Sequence, residues 1–155
     1  MAGRRDLGLL LLRIGTGCTL AAHGLPKLVG GPGREPPSWL ARLMGSNYAG
    51  GWAASGPEQF AKVLERMEVP LPEVGARASG WAELGGGLAL ALGLATPLAS
   101  AVVLGNMAVA IRAAHWKVGF YGQGGYEFPL ALATAAASLA ITGPGRISAD
   151  ALLAG

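Results

Sequence analysis

Charge is scarce in this sequence. Of its 155 residues only 14% are Asp, Glu, Lys or Arg, while 52% are hydrophobic; an ordinary soluble domain carries roughly 25% charged residues. Together with a mean hydropathy of +0.43, that shortage excludes a water-soluble globular protein and makes the lipid bilayer the expected surroundings. Cysteine occurs once, at Cys18, which excludes an internal disulfide and any cysteine-ligated metal cluster. Histidine occurs twice, at His23 and His115, and neither stands at metal-ligand spacing from a carboxylate, so no metal site is expected. Nor is there a basic stripe. Despite a net charge of +3 and a pI of 9.4, the nine Arg and three Lys are scattered, which argues against a nucleic-acid partner and for contact with anionic lipid headgroups.

Long apolar runs are plentiful. The first, "LGLLLLRIGTGCTLAAHGL", predicts a span over 7–25 with Arg13 as its one formal charge. From Ala78 to Ile111 the only charged residue is Glu83. As one helix that stretch would be about 51 Å long against a hydrocarbon core of about 30 Å, so it must fold back. "ATP" at 95–97 is the place, because Pro97 starts a helix well and cannot continue one. This gives spans over 74–94 and 97–116, and a fourth over 126–142 that stops at the "GPG" breaker. A cleaved lipoprotein signal at the N-terminus is disfavoured, since Arg13 interrupts the apolar core and no soluble domain follows. The expected fold is therefore all-α: one membrane domain, 1–155, built as a four-helix bundle.

The connection 28–73 holds nine charged residues and is no simple turn. Ser55 and Glu58 read as a capping box, with Pro57 in the first turn. Phe60, Val63, Leu64 and Met67 then recur at helical spacing opposite Lys62, Glu65 and Arg66, predicting an amphipathic helix. An interfacial position suits such a helix better than a lid over the bundle. "GGPGREPP" and "GSNYAGG" read as flexible linkers around a short "SWLARLM" segment.

Four alternating spans bring His23 and Lys27, Arg77 and Glu83, Arg112 and His115, and Glu127 towards one membrane side. All ten aromatic residues lie in or beside the connections there, either because that face is functional or because longer loops carry more of everything. Arg13, Thr16, Leu20, His23 and Lys27 follow a 3,4,3,4 spacing and form one helical stripe beside Gly17 and Gly24. Gly80, Glu83, Gly87 and Leu94 form a second, and Glu127, Thr134, Ser138 and Thr142 a third. With Gly86, these glycines suit close helix packing in lipid. A carboxylate in hydrocarbon is costly unless paired, protonated or turned inward. Glu83 falls in depth between Arg13 and His23, so either can pair with it, as a structural lock or as part of a proton or ligand site.

"LLLRIGTGCTLAAHGLPKL", "ELGGGLALALGLATPLA", "NMAVAIRAAHW", "GGYEFPL" and "ITGPGRISAD" resemble, in that order, the DoxX family of small four-helix bacterial membrane proteins. The likeness covers 9–27 and 57–150, and its force lies in the order and spacing of its motifs: the HG-x-x-K ending, the Glu-Leu-x-Gly-Gly helix, Gly-Tyr-Glu and Gly-Pro-Gly-Arg. The stretch 31–54 is longer than the family's usual first connection. The family pattern falls on Arg13, His23, Gly24, Lys27, Glu83, Gly86, Asn106, Glu127 and Gly145. The resemblance implies a bacterial cytoplasmic-membrane protein tied to redox metabolism. Relatives include the membrane subunit of thiosulfate:quinone oxidoreductase and members assembled with superoxide dismutase and a thiosulfate sulfurtransferase.

Three functions compete. A redox-linked subunit would bind a quinone or sulfur compound in a polar pocket drawn from Arg13, His23, Lys27, Glu83, Asn106, His115, Tyr126 and Glu127, with donors at each quinone carbonyl. A non-catalytic scaffold would hold a soluble redox enzyme, or a second copy of the chain, at the membrane. A small-molecule or proton transporter would explain the intramembrane charges, although no inverted repeat or broken helix pair accompanies them. His23 and His115 fall at matching helix ends, as a bis-histidine haem requires, but nothing else marks a porphyrin site. The resemblance implies cytoplasmic N- and C-termini, whereas the cations of the loops weigh towards the opposite orientation.

Overall fold

A computed structural model describes residues 3–155, and among them every regular element is helical. In order these are α1 (Arg4–Val29), α2 (Ser38–Met44), α3 (Ser46–Ala54), α4 (Pro57–Arg66), α5 (Pro72–Leu92), α6 (Thr96–Ala110), α7 (Glu127–Thr142) and α8 (Ala149–Leu153), with a π-helical turn over Ile111–His115 following α6. Among the described residues two helices are long and apolar enough to cross a membrane, Arg4–Val29 and Thr96–His115. α7 is apolar but has 16 residues, about 24 Å at the α-helical rise. α5 has 21, and Glu73, Arg77 and Glu83 along it lower its hydropathy.

Helix ends follow local chemistry. Ala95 adopts the left-handed conformation (φ 44°) at the α5–α6 turn, and Pro97 sits in the first turn of α6. Gly143, with φ 75°, closes α7, and its amide donates to the Leu139 carbonyl. α1 runs on through Pro26 to Val29 rather than ending near residue 25. Where the sequence suggests a continuous α-helix to Trp116, the helix widens after Ala110, and the Trp116 amide bonds the Ile111 carbonyl five residues back at 2.7 Å.

The chain divides into two compact units, residues up to Ala21 with Gly85–Gly155, and Ala22–Leu84. In the first, Leu20, Leu90, Ala99, Val103, Met107, Ala136 and Leu139 form the buried core. There α1 and α5 meet backbone to backbone at Gly17 and Gly87: a Cβ on Gly17 would collide with the Gly87 carbonyl, and one on Gly87 would lie 2.8 Å from the Ala21 amide nitrogen. In the second unit, Ala61 and Leu64 of α4 bury against Ala76, with Phe60 and Val69 alongside. Val63 and Met67, on the same expected apolar face, are exposed.

Two expectations are corrected in this second unit. "GSNYAGG" is not a linker but the start of α3, where Tyr48 and Trp52, one turn apart, meet edge to face at 5.9 Å and Trp52 is buried. Aromatic contact and burial there outweigh the glycines' weak helix propensity. The Ser55–Glu58 capping box does not form either. Gly56, at φ 105°, is the residue before α4, and Ser55 stays extended one position too early to cap.

The glycine contacts have opposite expected signs within one helix. Gly15 has open space around its missing Cβ, so Gly15→Ala should stabilise by about 0.5–1 kcal/mol through helix propensity. Gly17→Ala should destabilise by about 1–3 kcal/mol through overpacking. Unfolding of the two variants in the same detergent, read by circular dichroism, checks the sign reversal.

Candidate functional site

Glu83 lies inside α5 and is 5% exposed. Its carboxylate accepts from Lys27 Nζ at 2.7 Å (Oε1) and 2.6 Å (Oε2). Glycine makes this geometry accessible. A Cβ on Gly24 would lie 2.8 Å from both the Gly80 carbonyl and the Glu83 Cβ, so only a glycine lets α1 come so close to α5. Lys27 Nζ also stands 4.7 Å above the Phe60 ring of α4, a cation–π arrangement that keeps an ammonium favourable after water is removed. The site is thus an ion pair with an aromatic wall, its lysine side chain 21% exposed and its glutamate 6%. Such a pair carries an exchangeable proton, hydrogen-bond donors and little net charge. His23, four residues before Lys27, is exposed.

Lys27 was not among the partners that helical depth suggests for Glu83. Arg13 makes a different contact. It is fully buried in the first unit, and its Nη2 donates to the Ile147 carbonyl. Among the described residues its Nε and Nη1 have no hydrogen-bond partner. Gly93 and Ser148 wall in the guanidinium, and a Cβ on Gly93 would strike it.

Around Arg13 the C-terminal segment closes on the α5–α6 turn. The Asp150 carboxylate accepts from the amides of Ala95 (2.6 Å) and Thr96 (2.9 Å), and the Asp150 amide donates to the Gly93 carbonyl at 2.8 Å. Asp150 thereby caps a helix it does not belong to, answering the positive end of α6. The Thr96 amide hydrogen bond in particular holds its carboxyl below the usual range. Ser148 caps α8, accepting from the Ala151 amide at 3.1 Å. Sequence reasoning missed Asp150; the only sign was an acid two residues after a capping serine.

The remaining expected site residues also belong to the first unit. His115 Nδ1 is 2.8 Å from the Gly124 carbonyl, and Glu127 Oε1 accepts from the Gly122 amide at 3.2 Å. Tyr126 stacks on Trp116 at 5.6 Å and meets Phe120 edge-on at 5.4 Å. These three side chains shape the α6–α7 connection, while Asn106 is half-buried in α6. The third stripe does not turn inward. Thr134 and Thr142 are exposed, and with Ser138 they donate to carbonyls of their own helix.

A family model described as DoxX matches residues 8–116, and so contains Arg13, Lys27, Glu83 and His115. The chain belongs to the DoxX family. No curated protein and no solved structure matches it significantly. Asp150, whose carboxylate ties the C-terminal segment to α6, lies beyond the matched part of this DoxX chain.

Two measurements follow from these contacts. Glu83→Gln leaves a largely buried ammonium uncompensated and should cost about 3 kcal/mol, whereas Lys27→Met with Glu83→Leu should recover most of that loss; unfolding of the single and double variants reads the difference. Asp150→Ala should lower stability at neutral pH by about 1 kcal/mol through loss of the cap. Because the Asp150 pKa is depressed on folding, its contribution is complete above the ordinary carboxyl pKa of about 3.9 and disappears as pH falls through the lower folded value. Melting curves of wild type and Asp150→Ala should therefore converge in acid.

Proposed function

We propose that this DoxX protein is a redox-linked subunit of the bacterial cytoplasmic membrane, and that Lys27 and Glu83 form the polar end of a site for a quinone or a sulfur compound. In this reading α1, α5, α6 with its π turn, and α7 all span the bilayer as a bundle, α4 lies at the interface, and both termini are cytoplasmic. One observation carries the proposal: Lys27 Nζ stands between the Glu83 carboxylate and the Phe60 ring. A quinone head needs an apolar face to lie against and a donor for its carbonyl, and its reduction requires protons as well as electrons. Phe60 supplies the face, Lys27 the donor, and Glu83 a carboxylate able to exchange a proton with that lysine. Lys27 would equally meet the negative charge of a sulfur oxyanion. Electrons would come from a partner enzyme.

A second reading is favoured by the same geometry viewed from the carboxylate. Both Glu83 oxygens already accept from Lys27, as a structural lock requires. The protein would then be a scaffold whose 28–73 segment meets the soluble enzyme.

Small-molecule mass spectrometry and an absorbance spectrum on gently purified wild type, Lys27→Met and Glu83→Gln separate the two. The proposal expects a quinone or sulfur compound in wild type, at least tenfold depleted in Lys27→Met with helicity retained. A wild type without any such ligand, together with a lowered melting temperature in Glu83→Gln, would establish the lock and the scaffold instead.

A further inference from the structure

Where α6 gives way to the π turn, an open groove of about 530 Å³ is lined by Ala108, Ile111, Arg112, Trp116 and Lys117. That volume lies within the range of small-ligand sites. The wall is mostly apolar, yet it carries two cations, and among the described residues neither Arg112 nor Lys117 is in an ion pair. π-Helical turns cluster at functional sites, because the inserted residue re-aims the side chains around it. The groove opens at the end of Thr96–His115, one of the two helices among the described residues that are long and apolar enough to cross a membrane. Trp116 is 59% exposed there while its ring stacks on Tyr126, a rigid indole directly after that candidate span and of the residue type that aromatic belts place at lipid headgroups.

We propose that this groove binds one anionic phospholipid, with Arg112 and Lys117 on the headgroup phosphate, Trp116 at the glycerol level and an acyl chain along Ala108 and Ile111. Charge selects the occupant. A guanidinium can hold a phosphate through two parallel hydrogen bonds and an ammonium adds a second positive charge, so a net-negative lipid is favoured over a zwitterionic one whose own cation opposes them. The apolar wall selects further, since a free phosphate would leave Ala108 and Ile111 unused. No residue of the groove belongs to the Lys27–Glu83 site, so the assignment stands apart from the quinone reading.

The test counts lipid adducts by native mass spectrometry on the purified full-length protein, titrated with phosphatidylglycerol, phosphatidylcholine or inorganic phosphate. One phosphatidylglycerol per chain is expected, on the order of thirtyfold tighter than phosphatidylcholine, from two cations near the headgroup. Arg112→Gln with Lys117→Gln should abolish that preference. Ala108→Trp, which fills the groove and keeps its charges, should weaken binding several-fold. Lys62→Gln with Arg66→Gln removes two exposed cations from α4 and should change nothing. All substituted positions are exposed, so helicity serves as the folding control. Equal binding of the two lipids, or an equal loss in the α4 variant, overturns the assignment in favour of diffuse electrostatics. Competition by millimolar inorganic phosphate with no effect of Ala108→Trp overturns it in favour of a free anion.

Discussion

Lys27 Nζ and the Glu83 carboxylate, 2.6 Å apart, neutralise each other within an apolar stretch, since Glu83 is the one formal charge between Ala78 and Ile111. An unpaired carboxylate among these residues would be protonated or would pull the helix out of register. The requirement propagates. Gly24 is small so that α1 can approach the backbone of α5, Gly80 leaves room for the Leu28 side chain, and Phe60 faces the ammonium that this approach positions. The second unit is organised around a charge that has to be answered locally.

Arg13 meets the same constraint by other means. Its guanidinium is fully buried, donates to the Ile147 carbonyl and feels the Asp150 carboxylate through space, so a backbone acceptor and a more distant carboxylate take the place of a direct ion pair. An ion pair can shift a proton between its members; a guanidinium on a carbonyl cannot, because arginine stays protonated. The two cations are held differently: half-buried Lys27 by a carboxylate, and fully buried Arg13 by the carbonyl through which it fixes the C-terminal segment.

The apolar helices were legible because hydropathy and breakers report directly on backbone fate. The α5–α6 turn at "ATP" and the stop at "GPG" are both set by one or two residues whose conformations have few alternatives. α3 was hidden because local glycines and a tertiary aromatic contact pull in opposite directions, and only the second is invisible in sequence. The capping box failed for a related reason: a motif at correct spacing was displaced by one residue once Gly56 took a positive φ. Of the site, the residue types were legible and the Lys27–Glu83 pairing was not. Helical stripes placed Arg13, His23, Lys27 and Glu83 on plausible faces, but a long lysine side chain reaches across more than a turn, so depth along the axis does not choose its partner. Asp150 was missed because a cap supplied from more than fifty residues away leaves no mark on the helix it caps.

That remote cap also bears on how the protein is made. Thr96 leaves the ribosome more than fifty residues before Asp150, so α6 forms with its first amides unanswered and acquires their acceptor only once Asp150 has been synthesised and has folded back onto it. Closing the α5–α6 turn is in that sense a late, long-range event, although the turn itself is a local one.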